Sequence, residues 1–253
     1  MASGKYGNSR AIDVSDWGRP IARFFANRLN DTPVSVIMVT NFHLLASIFC
    51  AWLILQEMIL EGCIILVIKG VIDAVDGELA RIRKTHSHVG RYWDTVADTI
   101  GLIAVMYAFG NLFSWQITLT LVMILAILFQ YSLFNQFSIM MRARGSGDMT
   151  SRIDESTRPV AHSWEKQRNV NFLHFIYLYC FSWQDRIISI LTGKGSKDLA
   201  FELTVSSILG YGTQSIFILL LALTNNLDYL PTLVLGVNMV LMALVILRSR
   251  ISK

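Results

Sequence analysis

A chain of 253 residues that is 53% hydrophobic and only 16% charged is too apolar for an ordinary soluble domain, which carries about 25% charged residues. Its mean hydropathy is +0.49, and several apolar stretches reach the ~20 residues needed to cross a bilayer. The net charge of +4 sits in Lys and Arg clusters beside those stretches, which argues for membrane lipids as surroundings and against nucleic acid as a partner.

The expected fold is an all-α polytopic membrane protein with six transmembrane helices. An amphipathic interfacial helix precedes the spans, and a second interfacial helix lies between spans four and five. Residues 1–31 form a cytosolic N-terminus, residues 32–253 the six-helix domain, and residues 145–200 a cytosolic or interfacial insertion within it. No hydrophobic core followed by a cleavage site suggests a removed signal peptide. Residues 1–15 are polar. From Trp17 the apolar positions Trp17, Ile21, Phe24, Phe25 and Leu29 follow helical spacing, with Arg19, Arg23 and Arg28 on the other side. Pro20 suits the first turn of such a helix, and a basic amphipathic helix beside a span reads as lying on an anionic leaflet.

The spans follow at roughly Val34–Leu55, Gly62–Ala80, Val89–Phe109, Trp115–Met141, Leu203–Leu223 and Leu230–Leu247, the last with Pro231 at its start. No internal repeat is evident. Between spans four and five, the polar loop Gly145–Asn169 leads to Val170–Trp183, whose apolar core of about 14 residues is short for a span. Its Tyr177, Tyr179 and Trp183, followed by Asp185 and Arg186, suit the bilayer boundary. Cys50, Cys63 and Cys180 fall in apolar segments without ligand spacing and read as reduced, inert hydrophobes.

Positive charge fixes the orientation. Lys5, Arg10, Arg19, Arg23 and Arg28 precede span one; Arg81, Arg83, Lys84 and Arg91 lie around the turn after span two. Further cations fill Arg142 to Lys197, and Arg248, Arg250 and Lys253 end the chain, whereas Gln56–Glu61, Gly110–Ser114 and Asn225–Asp228 hold no Lys or Arg. Both termini therefore face the cytoplasm, in a bacterial or archaeal cell membrane or, in a eukaryote, the endoplasmic reticulum.

Around the cytoplasmic turn between spans two and three lie four aspartates. Asp73 and Asp76 are three apart and Asp94 and Asp98 four apart, so each pair shares one helix face. Unpaired, such carboxylates would cost several kcal/mol each. Two divalent ions balance four acids, and carboxylate oxygens suit Mg2+ or Mn2+. Gly77 removes a side chain beside an acid, Ala80 keeps the next turn slim, Arg81 offers planar donors for a diphosphate, and Gly90, with Ser87 as a cap, lets the third helix start close to the second.

These residues form D-x2-D-G-x2-A-R-x8-G-x3-D-x3-D, a pattern whose eight fixed positions would match one chain by chance about once in 10^8. It resembles the signature of the CDP-alcohol phosphatidyltransferase family. The resemblance implies that Asp73, Asp76 and Asp94 hold two divalent cations and that Asp98 is the general base and also touches a metal. It implies that Gly77, Ala80 and Arg81 contact the CDP moiety of a CDP-linked lipid, that CMP is released on attack by a small alcohol acceptor, and that the protein is a homodimer. The compact size favours transfer of a phosphatidyl group from CDP-diacylglycerol or an archaeal CDP-diether lipid. A choline or ethanolamine phosphotransferase acting on diacylglycerol is the alternative, and an ion transporter a distant one.

Other polar residues are open to more than one reading. Lys69, one turn before Asp73, either pairs with it, meets a phosphate or reaches to the interface. His43 reads as a hydrogen-bonded packing residue, and His86 and His88 as solvated side chains. The family's early Pro-Asn-Thr stretch is broken here into Thr32-Pro33 and Thr40-Asn41, which weakens Asn41 as a nucleotide contact. Arg142 and Arg144, with Arg152 or Arg158, either form a pocket for a phosphorylated acceptor or simply keep their loop cytosolic.

Overall fold

The computed structural model describes residues 6, 11–144, 157–193 and 197–251. Among them every regular element is helical: α1 Arg19–Leu29, α2 Val36–Leu55, α3 Ile59–Arg83, α4 His88–Leu112, α5 Ile117–Arg144, α6 Gln167–Cys180, α7 Ser182–Thr192, α8 Leu199–Ser206, α9 Tyr211–Leu223 and α10 Asn238–Ile251. Five stretches are long and apolar enough to cross a membrane: α2, α4, α5, Leu199–Leu223 and Leu227–Ile251. The remaining expected span, the second at Gly62–Ala80, lies within α3, which is 25 residues long. It is not among the five, because Glu61, Lys69, Asp73, Asp76, Glu78, Arg81 and Arg83 interrupt its apolar sequence.

Helix α2 is the hub of the N-terminal half. It is apolar but for Thr40, Asn41, His43 and Ser47, starts on Ser35, whose Oγ accepts from the Met38 amide at 3.2 Å, and packs along both α3 and α4. Cys50 and Ile54 of α2 meet Cys63 and Leu66 of α3, and Val105, Met106 and Phe109 of α4, in one buried cluster. Both thiols are thus inert core groups, as their apolar context predicts. Cys180 differs: it is exposed.

The amphipathic α1 lies against α3 through its small residues. Ala22 and Ala26 are fully buried against Val75 and Leu79, while Ile21, Phe24 and Phe25 are about half exposed. Two ties fasten it. Glu78 of α3 accepts from Arg19 Nε at 2.6 Å and Arg23 Nε at 3.4 Å. Arg83 donates to the carbonyls of Leu29, Asn30, Thr32 and Val34 at 2.5–3.0 Å, serving oxygens that the end of α1 and the next turn leave over.

The expected single interfacial helix at Val170–Trp183 is two helices, α6 and α7, broken at Phe181. They pack on α4 and α5. Tyr92, fully buried on α4, meets the rings of His174 and Tyr177 at 5.6 and 5.2 Å. The expected fifth span is likewise divided, into α8 and α9, with extended backbone at Gly210 between them.

At that division the chain before α1 docks. Ile12 N donates to Thr204 Oγ1 and Val14 N to Ser207 Oγ, both at 3.0 Å. Gly212 N donates to Ser15 Oγ at 3.0 Å, and Trp17 Nε1 to Gly212 O at 3.1 Å. A Cβ on Gly212 would lie 2.0 Å from Ser15 O, so only glycine permits the contact. Behind α9, three buried amides join three helices: Asn238 Nδ2 donates to Gln130 Oε1 at 3.1 Å and to Gln214 Oε1 at 2.8 Å. Gln130 Nε2 in turn serves Val234 O at 2.9 Å, within the π-helical turn Thr232–Val237 that precedes α10. Satisfied in this way, the amides do not carry the cost of unpaired polar groups in an apolar interior.

Substituting Gly212→Ala should force the Ser15 segment off α9, with a loss of roughly 1–3 kcal/mol as for other overpacked contacts. A thermal unfolding midpoint in detergent equal to that of the unaltered protein would show that the segment is not held there.

Candidate active site

The helical spacings bring the four aspartates to one place, and α2 completes the group. Asp73 and Asp76 project from α3, Asp94 and Asp98 from α4, and Thr40 and His43 from the face of α2 between them. His43 Nε2 lies 3.2 Å from Asp94 Oδ1, 3.7 Å from Asp73 Oδ1 and 3.9 Å from Asp76 Oδ2. Thr40 Oγ1 donates to Asp76 Oδ2 at 2.7 Å. His43 is fully buried; its Nδ1 has no hydrogen-bond partner, the nearest acid being Asp98 Oδ1 at 3.9 Å. It is the buried, hydrogen-bonded residue expected from sequence, and it also brings a ring nitrogen to the acids, a placement that sequence did not assign. The available signal was the presence of an ionisable group within a span.

Three of the acids form a tight set with His43: one ligand atom from each of His43, Asp73, Asp76 and Asp94 lies within 4.8 Å of every other. The hard oxygen donors fit Mg2+ or Mn2+, and one imidazole is compatible with the latter. Asp98 stands beside this set, bonded through Oδ1 to Lys69 Nζ. Lys69 is thus paired with the acid across the helix pair and not with Asp73. It is 1% exposed and sits 4.0 Å from the centre of the Tyr211 ring, which excludes the interfacial reading of that side chain.

Two cavities share the wall that carries Asp76, Gly77, Arg81 and Asp94. The larger, about 440 Å³, holds Asp73 and Asp98 and runs out to Tyr131, Tyr177, Asp185 and the Asp13–Arg19 segment. The smaller, about 170 Å³, is lined by Thr40, Ala80, His86, Gly90, Arg91 and Arg142. All the motif's small residues face this second cavity. Gly77 borders both, and a Cβ there would stand 3.2 Å from the Arg81 guanidinium. Arg81 NH2 donates to Glu78 Oε1 at 2.9 Å, so Glu78 binds Arg19, Arg23 and Arg81 together. Nothing in the spacing of Glu78 marked it for that role. Asn41 is turned away and accepts from Trp93 Nε1 at 2.8 Å. Arg144 and Arg158 are exposed, and Arg152 lies outside the described residues.

The turn between α3 and α4 is built for a close return. Lys84 adopts φ 54° at the end of α3, and Ser87 caps α4 by accepting from Gly90 N at 2.8 Å, as anticipated. Glu165 adds a second cap from the insertion, accepting from Ser87 Oγ and Val89 N at 2.8 Å each and from His162 N at 3.1 Å. His88 is consequently not a freely solvated side chain; its ring stacks on that of His162 at 4.9 Å. His88, His162 and Glu165 also bring ligand atoms near one another, but the two rings lie within 3° of parallel, so their nitrogen lone pairs do not converge on a point.

A family model described as CDP-alcohol phosphatidyltransferase matches residues 35–247. The chain belongs to the CDP-alcohol phosphatidyltransferase family. Members of this family are enzymes that transfer a phosphate-alcohol group from a CDP-alcohol to an acceptor alcohol, typically with divalent cations. No curated protein matches the chain. Five apolar helices and membership of the CDP-alcohol phosphatidyltransferases together make this an integral membrane protein.

Burial works to raise the Glu165 carboxyl, but the hydrogen bonds from Val89, Ser87 and His162, with charge on His88, outweigh it and hold its pKa below the ordinary 4.5. A carboxyl depressed by folding contributes stability in full above its ordinary value and loses it as pH falls through the lower folded value. Amide protection at Val89 should therefore persist down to about the ordinary Glu pKa and fall only below it, whereas Glu165→Gln should weaken protection at neutral pH as well. Hydrogen exchange that is the same in both proteins would remove Glu165 as the cap.

Proposed function

We propose that the enzyme transfers a phosphatidyl group from a CDP-linked lipid, CDP-diacylglycerol or its diether counterpart, to a small polar alcohol and releases CMP. The observation that carries this reading is the motif's division between two cavities: Ala80 and Gly90 border one, the acid Asp98 the other, and Asp76, Gly77, Arg81 and Asp94 line both. In this reading Asp73, Asp76 and Asp94, with His43 beside them, hold two divalent cations; bound there, the ions supply positive charge that offsets the diphosphate and the departing CMP.

The remaining chemistry belongs to the side chains. Gly77 and Ala80 leave room for the nucleotide, and Arg81 donates to a diphosphate oxygen, its guanidinium aimed by Glu78. Lys69 fixes Oδ1 of Asp98 from the protein interior, leaving Oδ2 to take the proton from the acceptor hydroxyl. The hydroxyl oxygen bonds to the phosphorus that bears the lipid, and the bond from that phosphorus to CMP breaks. We read α3 as crossing the membrane as well, making six spans, its acids turned to the clefts and Cys63 and Leu66 to the apolar core shared with α2. The distribution of Lys and Arg favours a cytosolic active site and cytosolic termini. Residues 32–253 then make one catalytic unit, into which 145–200 is inserted as a wall of the cleft.

Purified protein given Mg2+ or Mn2+ and CDP-diacylglycerol should release CMP when a suitable alcohol is added. Release only from CDP-choline or CDP-ethanolamine with diacylglycerol would assign it instead to the amino-alcohol phosphotransferases. Asp98→Asn should cut turnover by about 10^2–10^4 while CDP-lipid binding is kept; equal loss of binding would make this acid a ligand first. Independently of turnover, Asp76→Asn should weaken Mn2+ binding followed by electron paramagnetic resonance of the free ion. Failure of the unaltered protein to bind Mn2+ or Mg2+ would end the metal assignment.

A further inference from the structure

We infer that the acceptor enters through the larger cleft and is an alcohol without a phosphate, held by hydroxyl or ammonium donors on the Asp185 carboxylate. The inference rests on the reading above, in which Asp98 is the base and Ala80 and Gly90 mark the nucleotide side. Asp98 lines the larger cleft and not the smaller one, whereas Ala80 and Gly90 line only the smaller. A hydroxyl that is to lose its proton to Asp98 must approach from the larger side.

The polar surface on that side is acidic. Across the cleft from the motif, Asp185 Oδ1 accepts from Ser132 Oγ at 2.5 Å and Oδ2 from Tyr177 OH at 2.6 Å. Both donors are neutral, and no ion pair to Asp185 occurs among the described residues. The two bonds come from α5 and α6 to a residue of α7, so the carboxylate is fixed in place with acceptor capacity left on each oxygen. Asp13 and Asp16 continue the same wall.

Among the described residues, cations here are few and already engaged. Arg19 and Arg81 are the Lys or Arg residues lining the larger cleft among the described residues. Both bond to Glu78, and Arg19 also to Asp16 at 3.2 Å. Arg142, which from sequence was a candidate for binding an acceptor phosphate, lies with Arg81 and Arg91 around the smaller cavity instead. A phosphorylated alcohol seated at Asp185 would therefore bring its charge against that carboxylate, while the Lys and Arg lining this cleft among the described residues are already engaged by acids, so like charges repel and weaken binding. Hydroxyl or ammonium donors meet the opposite situation, a charged acceptor to which hydrogen bonds are among the stronger ones.

The test uses the full-length protein with CDP-diacylglycerol and Mg2+, and reads CMP release. Inositol, glycerol, serine and ethanolamine form one set of acceptors; glycerol 3-phosphate and inositol phosphate form the other. At least one member of the first set should be used with kcat/KM about tenfold or more above any member of the second, and Asp185→Asn should raise KM for that acceptor about tenfold while KM for CDP-diacylglycerol stays unchanged. CMP release only with phosphorylated acceptors would overturn the inference and leave the proposed reaction standing. Release with neither set would remove the proposed reaction and the inference with it. An unchanged acceptor KM in Asp185→Asn would overturn the role of Asp185, and the acceptor panel on the unaltered protein decides the substrate class even if that variant does not fold.

Discussion

Four carboxylates on two neighbouring helices are the constraint around which this protein is built. In a setting of low polarity each ionised acid costs about 2.5–3.5 kcal/mol even by the milder insertion scales. The side chains present answer only part of that charge, with one lysine on Asp98 and one imidazole among the other three acids. The position of α2 follows from the same constraint. By packing against both α3 and α4 it delivers Thr40 and His43 to the group and keeps the hydrocarbon of the bundle away from it.

The arginines are arranged by the same logic one layer out. Glu78 gathers Arg19, Arg23 and Arg81, and Arg83 serves four carbonyl oxygens beyond the end of α1. Through these contacts the amphipathic helix and the helix bearing Asp73 and Asp76 behave as one body. Removing one partner of such a part-buried group is costly because the other is left without compensation. The outward Phe24 and Phe25 of α1 are thereby linked mechanically to the acids.

Much of this could be read from the residues themselves. The three- and four-residue intervals between the aspartates, Ser87 three before Gly90, and the small residues beside Arg81 carry local geometric meaning, and the helices realise it. Apolar length located α2, α4 and α5 well. It failed where a helix is interrupted without Pro, as at Phe181 and Gly210, because hydropathy averages over a break of one residue. It also cannot identify partners distant in sequence. Lys69 with Asp98, Glu78 with Arg19, Asp185 with Ser132 and Tyr177, and Ser15 with Gly212 are settled by how the helices lean on one another, and no periodicity records them.

The docking of the chain before α1 carries a further meaning. Asp13, Ser15, Asp16 and Arg19 help to form the larger cleft, yet they precede residue 35, where correspondence with the family begins. The matched portion thus carries all four aspartates, while part of the wall of the larger cleft comes from residues ahead of it. A truncation ahead of Trp17 would therefore reshape that wall and leave every aspartate of the motif in the chain.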